Sequence, residues 1–459
     1  MSGKMLVGWG EADITPKGGA ISLIGQWEER VTDAVLDTIC AVAMAMRSGE
    51  ERVILVACDL CGITKPLSDE VKMLLRASVP EFQDHELILS ATHIHTGPGT
   101  EERSFLTLLD GRADPQGAIP TGECRRQIAL AIEAAVLQAL GSMRESRFEY
   151  AVSHIITGVN RRATYADGSS EMYGDIHRPD FRGMEGRDGG PMQFLFARNE
   201  ADGAISGVVA AVPCTAQCDE MGLYVTADYW GHARKTVRDE LGQGVGILGL
   251  IRSAGDLSPH AMIDGGKSLS DMRGADAAKQ MGERIGGALL RAMHEASCAI
   301  PSDAPLRHLW ANEEMPVWTP TTEQYQWGKA YLEEHEAELG ALTDMMDFSS
   351  AAAYVKRYES AKERYTVNLH ALRIGDVALI TNPFELFIEY ADRIRAACPD
   401  ANVIDVQLAG DENLGYLATQ RAIDGGGYSA MIFSGVLNAE GGEAVVGSSI
   451  RMIRQIMEG

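Results

Sequence analysis

Two histidines separated by one residue, His93 and His95 in Ala91-Thr-His-Ile-His-Thr-Gly-Pro-Gly99, are the clearest chemical signal in the chain. In extended backbone, residues two apart project to the same face about 6.6–7 Å from each other, close enough for both imidazoles to reach one ion. Two histidines packed into a turn satisfy the same pattern. Four further apolar runs end in groups that bind metals or act as nucleophiles. Residues 205–212 lead to Cys214 and Gln217, 245–251 to Asp256 and Ser258, 377–380 to Glu385, and 403–408 to Glu412 and Tyr416. Imidazole, carboxylate and thiolate are all donors that zinc accepts. Glu385 has a second reading, since it opens the amphipathic run 386–395 and suits the N-terminal end of a helix dipole. Ser258, in Gly255-Asp-Leu-Ser-Pro259, is not in a Gly-x-Ser-x-Gly elbow, and Asp256 and Ser258 equally suit the capping of a turn. Arg161 lies beside Arg162, and such a cationic pair fits either a substrate carboxylate or phosphate or a surface ion pair.

These groups need strands and helices to position them. Short Val-, Ile- and Leu-rich runs predict strands at 52–57, 86–91, 148–156, 192–196, 205–212, 245–251, 369–374, 377–381 and 403–408. Helical periodicity predicts helices at 65–77, 125–140, 233–241, 275–297 and 322–363. The alternation defines an α/β protein with a mixed β-sheet core flanked by helices, because Ile374-Gly-Asp-Val377 reads as a hairpin turn between two runs. In open α/β sheets ligands sit beyond the carboxyl ends of the strands, so the reactive groups are expected to converge there. The polar, Gly-rich stretch 165–190 reads as a long loop, and 313–364 as a helical insertion. No linker divides the chain, so 1–459 is expected to form one domain.

The composition limits the partners. With 41 Lys+Arg against 65 Asp+Glu the net charge is −24, which opposes nucleic acid and anionic membranes as main partners. No segment has the ~20 apolar residues of a membrane span. The opening residues show no basic region followed by a long apolar run, so a cytoplasmic setting is expected. Eight cysteines in 459 residues do not suggest a disulfide framework, and Cys58-Asp-Leu-Cys61, with no second such pair, reads as packed thiols. A small-molecule substrate is the expected partner, and assembly into a homo-oligomer is left open.

Several motifs occur together in the order found in neutral/alkaline non-lysosomal ceramidases, and the chain resembles that family. They are Val7-Gly-Trp-Gly-Glu-Ala-Asp-Ile-Thr-Pro16, Ala91–Gly99, Asn160-Arg161, Gly255–Pro259, Pro383-Phe-Glu385 and Tyr416-Leu-Ala-Thr419. The resemblance implies a catalytic domain with one zinc ion held by His93, Glu385 and Tyr416. It also implies that His95 handles protons or orients substrate, that Ser258 is the active-site serine, and that Arg161 and Tyr428 contact substrate. The family's second histidine ligand, in a His-Pro-Thr segment, is replaced by Cys214 in Cys214-Thr-Ala-Gln217, with Gln217 as an alternative neutral donor to metal or substrate. The chain ends about thirty residues after Tyr428, so the family's C-terminal β-sandwich module is not expected. The expected activity is zinc-dependent hydrolysis of an amide or ester in a small soluble molecule. The alternative is a metal-dependent lyase or isomerase step on a hydroxy acid or sugar acid.

Overall fold

A computed structural model describes residues 3–102, 114–263, 272–295, 298–335 and 345–458. The strand order of the larger sheet is Gly246–Ile251, Ile205–Val212, Met192–Asn199, Arg144–Ser153, Leu6–Asp13, Cys40–Ser48, Glu51–Cys58 and Leu87–Ala91, with Cys298–Ile300 added beside Arg144–Ser153. Only the two outermost pairs of that order are parallel. A second sheet has the order Leu306–Pro316, Arg364–Ile374, Val377–Thr381 and Asn402–Val406. The sheets are therefore mixed, as the sequence indicates.

Period-two alternation explains the layering. Along Glu51–Cys58, Val53, Leu55 and Ala57 face Leu372, Ile374, Leu379 and Ile404 of the second sheet. Ile54, Val56 and Cys58 face the other way, onto a core that includes residues of the helices Lys65–Ser78, Thr121–Gly141, Tyr229–Leu241 and Ala275–His294. The far side of the second sheet packs on the helices Ile388–Ala397 and Ala439–Glu458. The layers thus run helix, sheet, sheet, helix, and three apolar interfaces bury nearly every Val, Ile and Leu of the strands. Thr121–Gly141 lies so close to the first strand that a Cβ at Gly10 would sit 2.0 Å from the Ala135 carbonyl oxygen, which is why that strand carries glycines.

Most of the anticipated elements are present, with some corrections. The hairpin pairs Ile374 with Val377, and Gly375 takes φ 59° in its two-residue turn. Residues 165–190 are not simply a loop. Arg162–Tyr165, Ser170–Met172 and Phe181–Met184 form a small antiparallel sheet, turned at Gly168 (φ 88°). The stretch 313–364 begins in a strand, since Leu306–Pro316 pairs along its whole length with Arg364–Ile374, and then forms two helices, Thr322–Glu334 and Met345–Ser360. Residues 296–297, the end of the predicted helix 275–297, lie outside the described residues. Among the described residues no helix is long and apolar enough to cross a membrane.

Candidate active site

In a mixed sheet the strand ends do not all point one way, and a crossing segment gathers them. Gln407 N–H donates to the Ile251 carbonyl (3.0 Å), Ala91 N–H to that of Leu408 (3.1 Å), and Gly410 N–H to that of Leu89 (2.8 Å). The ends of Leu87–Ala91 and Gly246–Ile251 are thereby tied to the chain that leads on to Tyr416.

His93 follows Leu87–Ala91 and has φ 60°, a conformation that costs a non-glycine residue about 1–3 kcal/mol. Its surroundings impose it. Thr92 and His93 N–H donate to the carbonyls of Cys58 and Leu60, both at 2.9 Å. The Thr92 hydroxyl donates to Asp59 (3.0 Å), a fully buried carboxylate that also takes two bonds from Arg234 (2.7 and 2.6 Å). The His93 Nδ1 lies 2.5 Å from the Cys61 carbonyl, which directs Nε2 toward Glu385 Oε2 (3.3 Å) and His95 Nε2 (3.4 Å). The Nδ1 of His95 faces Gln217 (3.5 Å) and Glu220 (3.7 Å). Both imidazoles therefore anchor Nδ1 and turn Nε2 inward. Gly25 covers His95, where a Cβ would come within 2.8 Å of the His95 Cα.

Glu385 and Tyr416, 31 positions apart, become neighbours by direct register in the short parallel pair Glu385–Leu386 and Tyr416–Leu417. Gly255 makes room, because a Cβ there would sit 2.2 Å from the Glu385 carbonyl oxygen. Arg161 is buried and reaches four partners: the hydroxyls of Tyr416 (3.2 Å) and Tyr173 (3.3 Å), the Gln217 amide oxygen (3.3 Å) and the Gly255 carbonyl (2.9 Å).

The electrostatics follow from these contacts. Burial opposes a charge on His93, but the Glu385 carboxylate overrides it and holds the imidazolium well above its usual range. Burial raises Glu385 in turn, and His93 with Arg161 brings it below the usual carboxylate value. His95 has no such offset, so burial, His93 and Arg161 push it well below the ordinary imidazole range. Tyr416 is pushed well up by burial and by Glu385.

Above these groups opens a cavity of about 620 Å³. Of the residues singled out from sequence, His95, Arg161, Gln217, Tyr416 and Tyr428 line it, and His93 and Glu385 lie directly behind. Ser258 is fully buried and accepts from the Tyr173 hydroxyl and His260 N–H, both at 3.0 Å, so it sits beneath the wall. Cys214 is also fully buried, with its thiol directed at the Thr215 carbonyl (3.4 Å) and burial raising its pKa. The thiol brought to the imidazoles is Cys61: among the described residues, ligand atoms of Cys61, His93 and His95 lie within 4.8 Å of one another. Arg162 points away from the cavity to Glu185 (3.0 Å) and the carbonyls of Gly426 and Tyr428, so the arginine pair divides into one cavity residue and one brace. Glu412 leaves the site and takes the Tyr365 hydroxyl (2.9 Å).

The sequence reading missed Tyr173, Glu220 and Trp27 as wall residues. Tyr173 was hidden in the polar stretch, while Glu220, three residues after Gln217 and bonded to it at 3.1 Å, was within reach of a closer reading. The donor set fits a divalent cation. His93 Nε2 lies 3.3 Å from Glu385 Oε2, a buried carboxylate oxygen that takes no hydrogen bond beyond this ion pair, and 3.4 Å from His95 Nε2.

The fold is neutral-ceramidase-like. Its architecture matches a neutral ceramidase from Pseudomonas aeruginosa with a TM-score of 0.73 at 18% identity, over 99% of this chain and 75% of that one. A ceramidase solved in complex with C2 matches over the same shares with a TM-score of 0.73 at 17% identity. No family model and no curated protein sequence matches the chain.

Proposed function

We propose that the protein is a hydrolase that cleaves an amide or ester bond in a small molecule with the help of a divalent metal ion, zinc being the first choice. The observation that carries this reading is the approach of His93 Nε2 to Glu385 Oε2 (3.3 Å) at the base of a cavity that also presents Arg161 and three tyrosines, Tyr173, Tyr416 and Tyr428. His93 and Glu385 would hold the ion, with Tyr416 beside them and Cys61 the nearest thiol. When bound, such an ion polarises a carbonyl and lowers the pKa of its water from ~15.7 toward neutrality.

The remaining roles belong to the protein's own side chains. His95, kept neutral, accepts at Nδ1 from the Gln217 amide, so its Nε2 carries the proton and would give it to the leaving group. Arg161 carries a fixed positive charge and Tyr428 a neutral hydroxyl at the wall, and these two bind the oxygen that gains charge. Ser258 supports Tyr173, and through it Arg161.

Amine release from a panel of small N-acyl amides and esters tests the proposal. Turnover is expected to vanish with a chelator and to return with zinc, and His93→Ala should fall at least ~10³-fold. Undiminished hydrolysis by His93→Ala or Glu385→Ala contradicts it. An isomerised or unsaturated product from a sugar acid, without amine release, would favour the lyase or isomerase reading.

A further inference from the structure

A second cavity, of about 510 Å³, lies between the helix Met345–Ser360, residues 317–319, and Phe433 and Val436. Lys356, Arg357 and Lys362 are part of its wall, and among the described lining residues there is no carboxylate. In a chain of net charge −24 this is a local reversal of sign. Arg357 shows it best. Its guanidinium donates to the carbonyls of Gly435 (2.7 Å) and Val436 (3.4 Å), which satisfy its geometry without neutralising its charge. Burial, with no acidic neighbour to offset it, pushes its pKa down to about 10. The same wall has an apolar part, built by Trp318, Phe433 and Val436. Phe433 also packs on Trp27 and Tyr428, at 5.9 and 6.1 Å between ring centres, so an aromatic partition stands between this chamber and the catalytic cavity.

We propose that this chamber binds an organic anion, a carboxylate or a phosphate monoester bearing an apolar group, with Arg357 facing the charge and Trp318 and Phe433 the apolar body. A planar guanidinium matches either head group, and cavities of this size suit small ligands that are mostly apolar with a few fixed polar contacts. The site needs neither metal nor turnover, so its test is independent of the hydrolase reading.

Calorimetric titration of the whole chain decides it, with 4-phenylbutyrate and phenyl phosphate as probes and 4-phenylbutanol as the neutral counterpart. At least one anion is expected to bind at a single site, and Arg357→Gln to weaken it at least about tenfold. The double variant Lys356→Gln/Lys362→Gln, at exposed positions that spare the Gly435 and Val436 contacts, should weaken it about threefold and flatten its salt dependence. Arg161→Gln, in the other cavity, should leave it unchanged. Equal binding of the alcohol, unchanged affinity in the double lysine variant, or loss of binding in Arg161→Gln alone would overturn the proposal.

Discussion

Among the described residues two pairs of histidines lie within hydrogen-bond reach of each other, and they differ in what surrounds them. His93 and His95 meet through their Nε2 atoms, with a carboxylate at 3.3 Å and a thiol close by. His308 and His370 stack with ring centres 5.1 Å apart and share a 2.9 Å hydrogen bond, and His370 is completed by the Asn368 amide oxygen at 2.5 Å. Among the described residues the second pair has no carboxylate against it, and His308 Nδ1 is buried without a hydrogen bond, so burial keeps both rings neutral, His308 being pushed down to about 4. The contrast teaches that proximity of imidazoles does not make a cation site. A carboxylate within reach of ring nitrogens that face each other does.

The comparison breaks most visibly if the wrong pair is needed for catalysis. Glu385→Ala is expected to abolish metal-dependent turnover, a loss of at least ~10³-fold, whereas His370→Asn should leave the rate per folded molecule within about twofold; steady-state assays with metal analysis check both. A smaller effect concerns the brace beneath His93. Asp59→Ala leaves Arg234 buried and uncompensated, so unfolding free energy should fall by about 3–4 kcal/mol in denaturant titration, and metal content should fall with it.

The second pair has its own signature. Because the His308 pKa is lowered on folding, protonation favours the unfolded chain. Its contribution to stability is complete above pH 6.5 and is lost as the pH falls from there toward 4, by about 3 kcal/mol in all. Thermal unfolding of His308→Gln should show a correspondingly shallower loss over that window than the parent protein. The smallest expected effect sharpens the first site. Cys61→Ser should weaken metal binding about tenfold, and Cys214→Ser, whose thiol lies outside the cluster, should leave it within about twofold in a competition titration.

How much of this could be read from the chain depends on the range of the interaction. The strands Ile205–Val212 and Val377–Thr381 coincide with their apolar runs, because burial of consecutive β-branched residues is a local pattern. Elements rich in glycine escaped. The strand Leu6–Asp13 and the helix Ala439–Glu458 contain glycines required by packing: a Cβ at Gly442 would meet the Tyr390 hydroxyl at 2.3 Å, a demand set by a residue 52 positions away. In the candidate site the His-x-His pair, Glu385, Tyr416, Arg161 and Gln217 were legible as types and motifs. Which cysteine would stand beside the imidazoles was not, since Cys61 arrives through the loop that accepts the His93 N–H and Nδ1 contacts, and no sequence spacing encodes that approach.

Anomalous X-ray scattering at the zinc edge, from crystals grown with stoichiometric zinc, tests the central claim most directly. A single peak about 2.0–2.2 Å from both His93 Nε2 and Glu385 is the predicted result. A peak at His308 and His370 instead, or none at full zinc loading, would contradict the account.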